Sequence, residues 1–335
     1  MGERDVGSNQ YLGRHTTLAY LTDKRNIWQR IPYLRENEGR APPIVLAVGD
    51  RRRVHAVSRR LRRPILLPEA TAKLSNRRIR RSDLPSMAEF GRVAMAIGLV
   101  SSIPILVVET QMGAPATQII MNEVLSDQIT STEYRVGRNR VSLRHKVVIR
   151  IGTAGGINCE GTLPIAVGDI VNATHSIGAT GAIMQLLSRL DFWRPDASNS
   201  FCTRWTSLGS AFTISNSNHP RVECSSNVIE AIDRAGERLA KGAYHKGGNL
   251  TKDSLYAELT PEFFVELCRT ENCRTTEMEL SAIAVAAHQH DANFGMISAI
   301  IGVLPGASFA ESEKTKAIAE RRALQVGLDA ITNLI

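Results

Sequence analysis

Residues 146–157 read KVVIRIGTAGGI, and this stretch carries the two features from which the fold can be inferred. It begins with β-branched and aliphatic residues, the pattern of a strand that is buried on both faces. It ends in glycines, where the backbone can turn sharply and approach a ligand closely. The stretch therefore predicts a buried strand with a binding site at its carboxyl end.

Arg150 interrupts this apolar run and needs an anionic partner. A guanidinium that is buried without an anion is strongly unfavourable. One interpretation is a phosphate or carboxylate ligand at the end of the strand, beside the Thr153 hydroxyl and the glycine amides. The other is an arginine at the edge of the strand that pairs with a local carboxylate. The residues alone leave both interpretations open.

Two other strands are followed by similar glycine-bearing turns. An apolar run over 44–48 leads to Gly49 and an arginine-rich helix with Arg53 in its first turn. A second run over 105–110 leads into a helix that is expected to end near residue 125. A strand, a glycine and a helix start place backbone amides where an anion can bind. We expect these turns to meet the turn after Ile151.

The rest of the chain alternates strands and helices, which indicates the α/β class with a mostly parallel or mixed sheet. We interpret 1–40 as a polar N-terminal extension with short helices near 18–30, and 41–335 as one domain. Residues 191–220 lack clear periodicity and are expected to form a long loop. Further strands are predicted near 93–97, 167–171, 244–251 and 294–301, and further helices near 179–190, 228–239, 282–288 and 310–328.

The positive charge of the chain is concentrated in one segment. Residues 51–81 contain twelve lysines or arginines and one acid, a net charge of +11 against +8 for the whole chain. A solvated helix face, a nucleic-acid patch and a small phosphate site are all compatible with such a segment. It contains no aromatic residue that would stack on bases, which argues against nucleic acid.

The cysteines and the hydropathy pattern bear on the compartment. The five cysteines lack a C-x-x-C pair, which argues against a disulfide framework or a zinc site and favours a reducing compartment. The first 40 residues contain no apolar signal region, and no apolar run reaches membrane-spanning length. We therefore expect a cytoplasmic protein without membrane partners.

The segment TTEMEL over 275–280 places two acids before an alanine-rich helix. Acids in a first helical turn are favoured by the helix dipole, so capping is one interpretation. The other is that carboxylates at a buried helix start bind sugar hydroxyls. Both interpretations remain open at this point.

Four motifs resemble those of the nucleoside phosphorylases of the uridine phosphorylase and hexameric purine nucleoside phosphorylase type, over about residues 44–335. The motifs are VGDRRRV over 48–54, QMGAP over 111–115, IRIGTAGG over 149–156 and EME over 277–279. The resemblance implies a single three-layer α/β domain with a mixed, partly barrel-like sheet between helices. It also implies a homo-oligomer, either a dimer or a trimer of dimers, with active sites shared at the dimer contact.

The resemblance further assigns roles to individual residues. Arg53, Arg150 and Glu279 are the expected catalytic residues, and Arg77 is expected to serve the phosphate of a neighbouring subunit. The implied phosphate-binding residues are Gly49, Arg53, Arg77, Arg150 and Thr153. The implied ribose-binding residues are Tyr33, Glu277, Met278 and Glu279, and the implied base-binding residues are Gly155, Leu255 and Tyr256.

The implied reaction is phosphorolysis, in which a nucleoside and phosphate give a base and ribose 1-phosphate. The base-binding segments depart from the family pattern, since 253–261 lacks the Gln and Arg that read uracil. Val303 and Leu304 replace both the Asn-Arg of uridine enzymes and the Ser-Asp of purine enzymes. Base recognition is therefore expected to be non-standard or to be supplied from elsewhere, for instance by Arg269 or Arg274.

Because the purine-protonating acid is missing, the sequence favours a pyrimidine nucleoside, uridine, in nucleoside salvage. The alternatives are a purine nucleoside phosphorylase, a nucleosidase, or a catalytically impaired relative that acts as a nucleoside sensor or regulatory subunit. No cofactor is expected beyond phosphate as co-substrate, and no bound metal is assigned. The family admits a cation at the dimer contact, but the sequence places no ligands for it.

Overall fold

The computed structural model describes ten segments of the chain and the strands and helices within them. The described residues are 35–67, 93–127, 129–137, 139–158, 160–180, 212–214, 219–253, 261–304, 308–309 and 313–335. The helices are α1 (Arg51–Ser58), α2 (Ala114–Leu125), α3 (Ser226–Leu239), α4 (Pro261–Glu271), α5 (Leu280–Gln289) and α6 (Glu313–Thr332). The strands are β1 (Ile44–Val48), β2 (Arg62–Leu67), β3 (Met95–Val100), β4 (Ile103–Glu109), β5 (Glu133–Val136), β6 (Asn139–Ser142), β7 (Lys146–Ile157), β8 (Ile170–Ala179), β9 (Phe212–Ile214), β10 (Pro220–Glu223), β11 (Tyr244–Lys252), β12 (Cys273–Glu277), β13 (Ala292–Leu304) and β14 (Ser308–Phe309).

Strand β7 is the centre of a mixed sheet that closes partly into a barrel. It pairs in parallel with β1 and β13 and, near its end, antiparallel with β12. Strands β13, β8, β11 and β12 continue from one side of β7 back to the other, which completes a closed ring. Strands β1, β4, β3 and β2 extend from β7 as an open wing. The predicted α/β class and partly barrel-like sheet are confirmed.

The apolar side chains of β1 show how helices cover both faces of this sheet. Val45 and Ala47 pack in a core with α2 and α5. Ile44, Leu46 and Val48 alternate with them and pack with α1, α3 and α6 on the opposite face. A strand covered on both sides in this way reads as a continuous apolar run, which is the pattern of 44–48 and of the first half of β7.

The parallel register aligns the strand ends that the sequence singled out. Val48 at the end of β1 lies opposite Glu109 at the end of β4 and opposite Ile151 in β7. The turns that follow Val48 and Glu109 therefore lie at one edge of the sheet, beside Ile151, as expected from their sequences. The predicted turn after Ile151 is wrong, because β7 runs on through Gly152 to Ile157 and pairs there with β13 and β12. Strand β7 continues beyond this edge as part of the barrel wall.

Several predicted boundaries differ from the structure. Ala179 ends β8 and does not begin a helix, because β8 pairs with β11 as far as the Lys252–Ala179 pair. The predicted long loop over 191–220 contains strand β9 and the start of β10, which pair with each other. The predicted helix near 18–30 and most of the helix near 179–190 lie outside the described residues.

One cysteine differs from the expectation that the cysteines of this chain are free thiols. Cys224 and Cys273 are free and buried, as expected. Cys268 in α4 is disulfide-bonded. This pairing is set by tertiary proximity, which the scattered spacing of the cysteines does not reveal.

Candidate active site

The carboxyl end of the sheet holds a buried ion pair between Arg150 of β7 and Glu279, the residue before α5. The two residues are only 3% and 6% exposed. Nη2 of Arg150 donates to Oε2 of Glu279, and Nη1 donates to the Thr110 hydroxyl over 3.1 Å. A local carboxylate is therefore the partner that the structure shows for this arginine. The arginine lies in a central strand and not, as one interpretation had it, at an edge.

The turn between β4 and α2 fixes the other oxygen of Glu279. The amide of Gly113 donates to Oε1 of Glu279 over 2.8 Å. Gly113 has φ +89°, a conformation that is costly for other residues, and Gln111 in the same turn has φ +62°. The Thr110 hydroxyl donates in turn to the carbonyl of Val48 over 3.2 Å. The glycine turn thus positions the acid, and Thr110 links β1 to Arg150.

Glu277 at the end of β12 supports Glu279 by capping α5. Its carboxylate accepts from the amide of Glu279 over 2.8 Å and from the amide of Leu280 over 3.1 Å. Asn249 and Thr251 of β11 each donate to it over 2.8 Å. The capping interpretation therefore applies to Glu277, which leaves Glu279 to face Arg150.

Glu277 also has a perturbed acidity. Burial, and next the negative charge of Glu279, raise the pKa of Glu277 to about 7, while Arg150 and the hydrogen bonds oppose this rise. The Arg150 guanidinium lies 4.0 Å from the carboxylate of Glu277. One cation is thus shared between two buried acids.

Arg53 approaches the same edge from α1. Asp50 caps α1 by accepting from the Arg53 amide over 3.0 Å. Nη2 of Arg53 lies 3.4 Å from the Thr153 hydroxyl and 2.7 Å from Oε1 of Glu320 in α6. Arg53 therefore connects the glycine-rich end of β7 with the last helix.

Gly49 lies between the two arginines. A Cβ atom at this position would be 3.0 Å from Nη1 of Arg53 and 3.7 Å from both terminal nitrogens of Arg150. A side chain at this position would crowd Nη1 of Arg53 and would be in ordinary contact with Arg150, so a glycine leaves both guanidinium groups room beside the backbone. Gly49, Arg53, Arg150 and Thr153 are therefore brought together, and their charges and hydroxyl suit an oxyanion.

Gly155 marks a second region, further along β7. It pairs with Thr276 of β12, and Cγ2 of Thr276 would be 3.3 Å from a Cβ atom at position 155. Cδ1 of Leu304 would be 3.6 Å from the same point. Met278 is half-buried between Glu277 and Glu279. Gly155 and Met278 thus lie near the acids, although neither has a polar side chain.

The remaining predicted site residues cannot be placed, and two suggested base readers have other partners. Tyr33, Arg77, Leu255 and Tyr256 lie outside the described residues. Arg269 pairs with Glu266 one turn away in α4, and Arg274 donates to the carbonyl of Leu163. Because both guanidinium groups are held elsewhere, these contacts do not favour the prediction that either arginine reads the base.

Sequence reasoning missed Thr110 and Glu320 as members of the site. Thr110 is the first polar residue after a buried strand, a signal that could have identified it once β4 was placed beside β1. Glu320 is 267 residues from Arg53 in the chain and has no local signal. Within the described ranges, no group of three or more His, Cys, Asp or Glu residues is arranged to hold a metal ion. No described helix combines the length and apolarity that crossing a bilayer requires.

Comparisons with known proteins bear on the family and the fold. A sequence model of the family described as "Phosphorylase superfamily" matches residues 43–332. The structure of purine nucleoside phosphorylase from Toxoplasma gondii, solved in complex with immucillin-H, is similar with a TM-score of 0.57. The two chains are 18% identical, and the similarity covers 88% of this chain and 92% of the other, which shows a shared fold. A search of curated protein sequences found no significant match.

Proposed function

Because the chain belongs to the phosphorylase superfamily, we propose that it is a nucleoside phosphorylase and, more specifically, that it cleaves a pyrimidine nucleoside. In this reaction uridine and phosphate give uracil and ribose 1-phosphate. The proposal includes a homo-oligomer with shared active sites that works in cytoplasmic nucleoside salvage. Phosphate is the co-substrate, and no other cofactor is needed.

The observation that carries the proposal is the convergence of Arg53 and Arg150 on Gly49. Two guanidinium groups, the Thr153 hydroxyl and a glycine turn supply charge and hydrogen-bond donors for a phosphate dianion. Each hydrogen bond to a charged group contributes about 1.5–3 kcal/mol. A nucleosidase uses water as the nucleophile and has no need for such a cationic pocket.

Glu279 is the proposed ribose ligand. Its two oxygens are fixed by Arg150 and by the Gly113 amide, so its orientation is set before any substrate binds. A carboxylate in this position accepts hydrogen bonds from the 2′- and 3′-hydroxyls. Because Glu279 also contacts Arg150, the ribose site and the phosphate site share a boundary.

The chemistry that follows is a displacement at C1′ of the ribose. The bond from C1′ to the base nitrogen breaks, and its electron pair leaves with the base. A phosphate oxygen forms the new bond to C1′, from the face opposite the base. The sugar passes through a cationic state that the phosphate dianion stabilises, while the arginines hold the phosphate in place. Side chains supply position and charge and form no covalent intermediate.

The preference for a pyrimidine rests on the missing purine acid. Val303 and Leu304 occupy the end of β13, where purine enzymes of this type carry an aspartate that protonates the ring. Leu304 lies near Gly155 and offers an apolar wall for the base. A pyrimidine needs no protonation of a second ring, so a wall of this kind is compatible with uracil.

The proposal is tested by removing each arginine in turn. We expect Arg53→Ala and Arg150→Ala to abolish detectable phosphorolysis of uridine and to weaken phosphate binding in calorimetric titration. Arg52→Ala is the matched control, because this neighbour of Arg53 is 91% exposed at its side chain. Phosphate binding that is equally strong in all three variants would contradict the assignment of the site.

A further inference from the structure

Thr276 in β12 has a buried hydroxyl for which the structure provides no hydrogen-bond partner within the described parts of the chain. The residue is 5% exposed, and its Oγ1 atom is inaccessible to solvent. A buried hydroxyl without a partner destabilises the folded protein, because it gives up its hydrogen bonds to water. Where such a hydroxyl belongs to a residue that borders a binding site, a ligand can supply the missing partner.

The position of Thr276 is next to the region proposed for the base. It pairs with Gly155 across the β12–β7 ladder, and its methyl group contacts the space where a side chain at 155 would lie. Leu304 borders the same space. Met278 lies two residues further along the chain, in the bend between β12 and α5. The methyl group of Thr276 thus faces this space, and a rotation about χ1, which moves the hydroxyl into the methyl position, brings the hydroxyl beside the apolar wall.

We propose that the Thr276 hydroxyl donates a hydrogen bond to a carbonyl oxygen of the pyrimidine base. This inference rests on the proposed function, and it answers how a chain without the usual Gln and Arg recognises the base. As the bond to C1′ breaks, negative charge develops on the base and is shared by its carbonyl oxygens. A hydrogen bond to that oxygen strengthens in the transition state, and so Thr276 raises kcat.

Two substitutions at position 276 separate the effect of the hydroxyl on the reaction from the effect of the side-chain shape. Thr276→Val keeps the volume and removes the hydroxyl, whereas Thr276→Ser keeps the hydroxyl. We expect Thr276→Val to lower kcat for uridine about 10- to 100-fold, the loss expected when one hydrogen bond to a charged group is removed. Thr276→Ser should remain close to wild type, and the KM for phosphate should not change in either variant.

A control variant shows whether any buried hydroxyl has this effect. Thr117 in α2 is also buried and has an unpartnered Oγ1 among the described residues. Thr117→Val therefore makes the same chemical change, and we expect its kcat to equal that of wild type. Circular dichroism and thermal unfolding establish that all three variants are folded.

Thiouridines identify the atom that is recognised. Sulfur is a weaker hydrogen-bond acceptor than oxygen. Wild type should therefore process one of the two analogues, 2-thiouridine or 4-thiouridine, more slowly than uridine, depending on which carbonyl oxygen Thr276 contacts. Thr276→Val should lose that difference for the affected position, because it no longer donates. If uridine and the thiouridine differ in rate by the same factor in wild type and in Thr276→Val, the proposal is overturned. Equal kcat values of wild type and Thr276→Val for uridine would also overturn it.

The same experiment separates this inference from the proposed function. Wild-type protein that does not cleave uridine in phosphate overturns both. Wild-type protein that cleaves uridine, together with an equally active Thr276→Val, overturns only the assignment of Thr276. A reduced kcat with a lost thiouridine preference supports both.

Discussion

Arg150 and Glu279 form a buried ion pair although 129 residues separate them in the chain. The pair joins the strand that supplies the proposed phosphate arginine to the helix start that supplies the proposed ribose acid. Neither group is free to move alone, since Thr110 holds the guanidinium and Gly113 holds the carboxylate. The site is thus built before substrate arrives, which reduces the cost of ordering it during catalysis.

Removal of Arg150 is expected to destabilise the fold as well as to stop the reaction. Arg150→Ala leaves Glu277 and Glu279 buried without their shared cation, and breaking a buried pair costs about 3–5 kcal/mol. The free energy of unfolding in urea measures this loss. Arg140→Ala is the control, because its pair with Glu133 is exposed and should contribute less than about 1 kcal/mol. Equal effects of the two substitutions would contradict the structural role of Arg150.

Glu279 is expected to discriminate between ribose and deoxyribose. Glu279→Gln removes the charge that strengthens the hydrogen bond from the 2′-hydroxyl, a loss of about 10- to 100-fold in kcat/KM for uridine. The loss should be smaller for 2′-deoxyuridine, which has no 2′-hydroxyl to donate. Steady-state kinetics on both nucleosides test this. A loss that is identical for the two substrates would remove Glu279 from the ribose site.

Glu277 is expected to make stability depend on pH. Its pKa in the folded protein is about 7, whereas an unfolded glutamate titrates near 4.3, about the ordinary value. Between these values the folded state binds more protons than the unfolded state, so the free energy of unfolding falls as pH rises. Glu277→Gln cannot titrate, and we expect wild type to lose stability relative to this variant as pH rises from about 4 to about 7.

The control for the pH experiment is Glu160→Gln, which changes an exposed carboxylate in a turn. Its free energy of unfolding should run parallel to that of wild type across the same pH range. If the difference in the free energy of unfolding between wild type and Glu277→Gln stays constant with pH, Glu277 is ionised in the folded and the unfolded state alike. The raised pKa assigned to it would then be wrong.

Glu320 is expected to compete with phosphate for Arg53. Its carboxylate lies 2.7 Å from Nη2 of Arg53, and the pair is partly exposed. Glu320→Gln keeps a hydrogen-bond acceptor but removes the competing charge, so phosphate should bind about two- to fivefold more tightly, the range for a partly exposed ion pair. Calorimetric titration with phosphate measures the change. Glu313→Gln removes the same charge from an exposed position of α6 and should have no effect.

Weaker phosphate binding by Glu320→Gln would reverse this interpretation. It would mean that Glu320 mainly holds the Arg53 side chain in place. The loss of that order would then weaken phosphate binding by more than the removed repulsion between Glu320 and phosphate strengthens it. The two roles are thus separated by the sign of one measured change.

The fold was predictable wherever local patterns are strong. The apolar runs of β1 and β7 identified the two buried strands that meet at the site, because burial on both faces leaves a continuous apolar signature. Gly49 marks the end of β1, whereas the glycines after Ile151 lie inside β7, so the turn predicted there was wrong. Capping of the helix start was one of two open interpretations for the acids over 277–279. The structure assigns this role to Glu277 and not to Glu279.

Contacts between distant segments were not predictable from the sequence. The Arg53–Glu320 and Arg150–Thr110 contacts depend on how α6 and β4 pack beside the site. The extension of β8 to Ala179 depends on pairing with β11, which overrides the local helical pattern. Arg274 donates to the carbonyl of Leu163, which is another contact between distant segments. Arg269 instead pairs with Glu266 three residues away in α4, a helical spacing that is visible in the sequence.

Release of uracil from uridine by the purified protein, measured with and without phosphate and beside inosine, decides whether this protein is a phosphorylase. We predict that uracil and ribose 1-phosphate form in equal amounts, that neither forms without phosphate, and that inosine is a poor substrate. Release of uracil and free ribose without phosphate would contradict the account, because it would show that water and not phosphate attacks C1′.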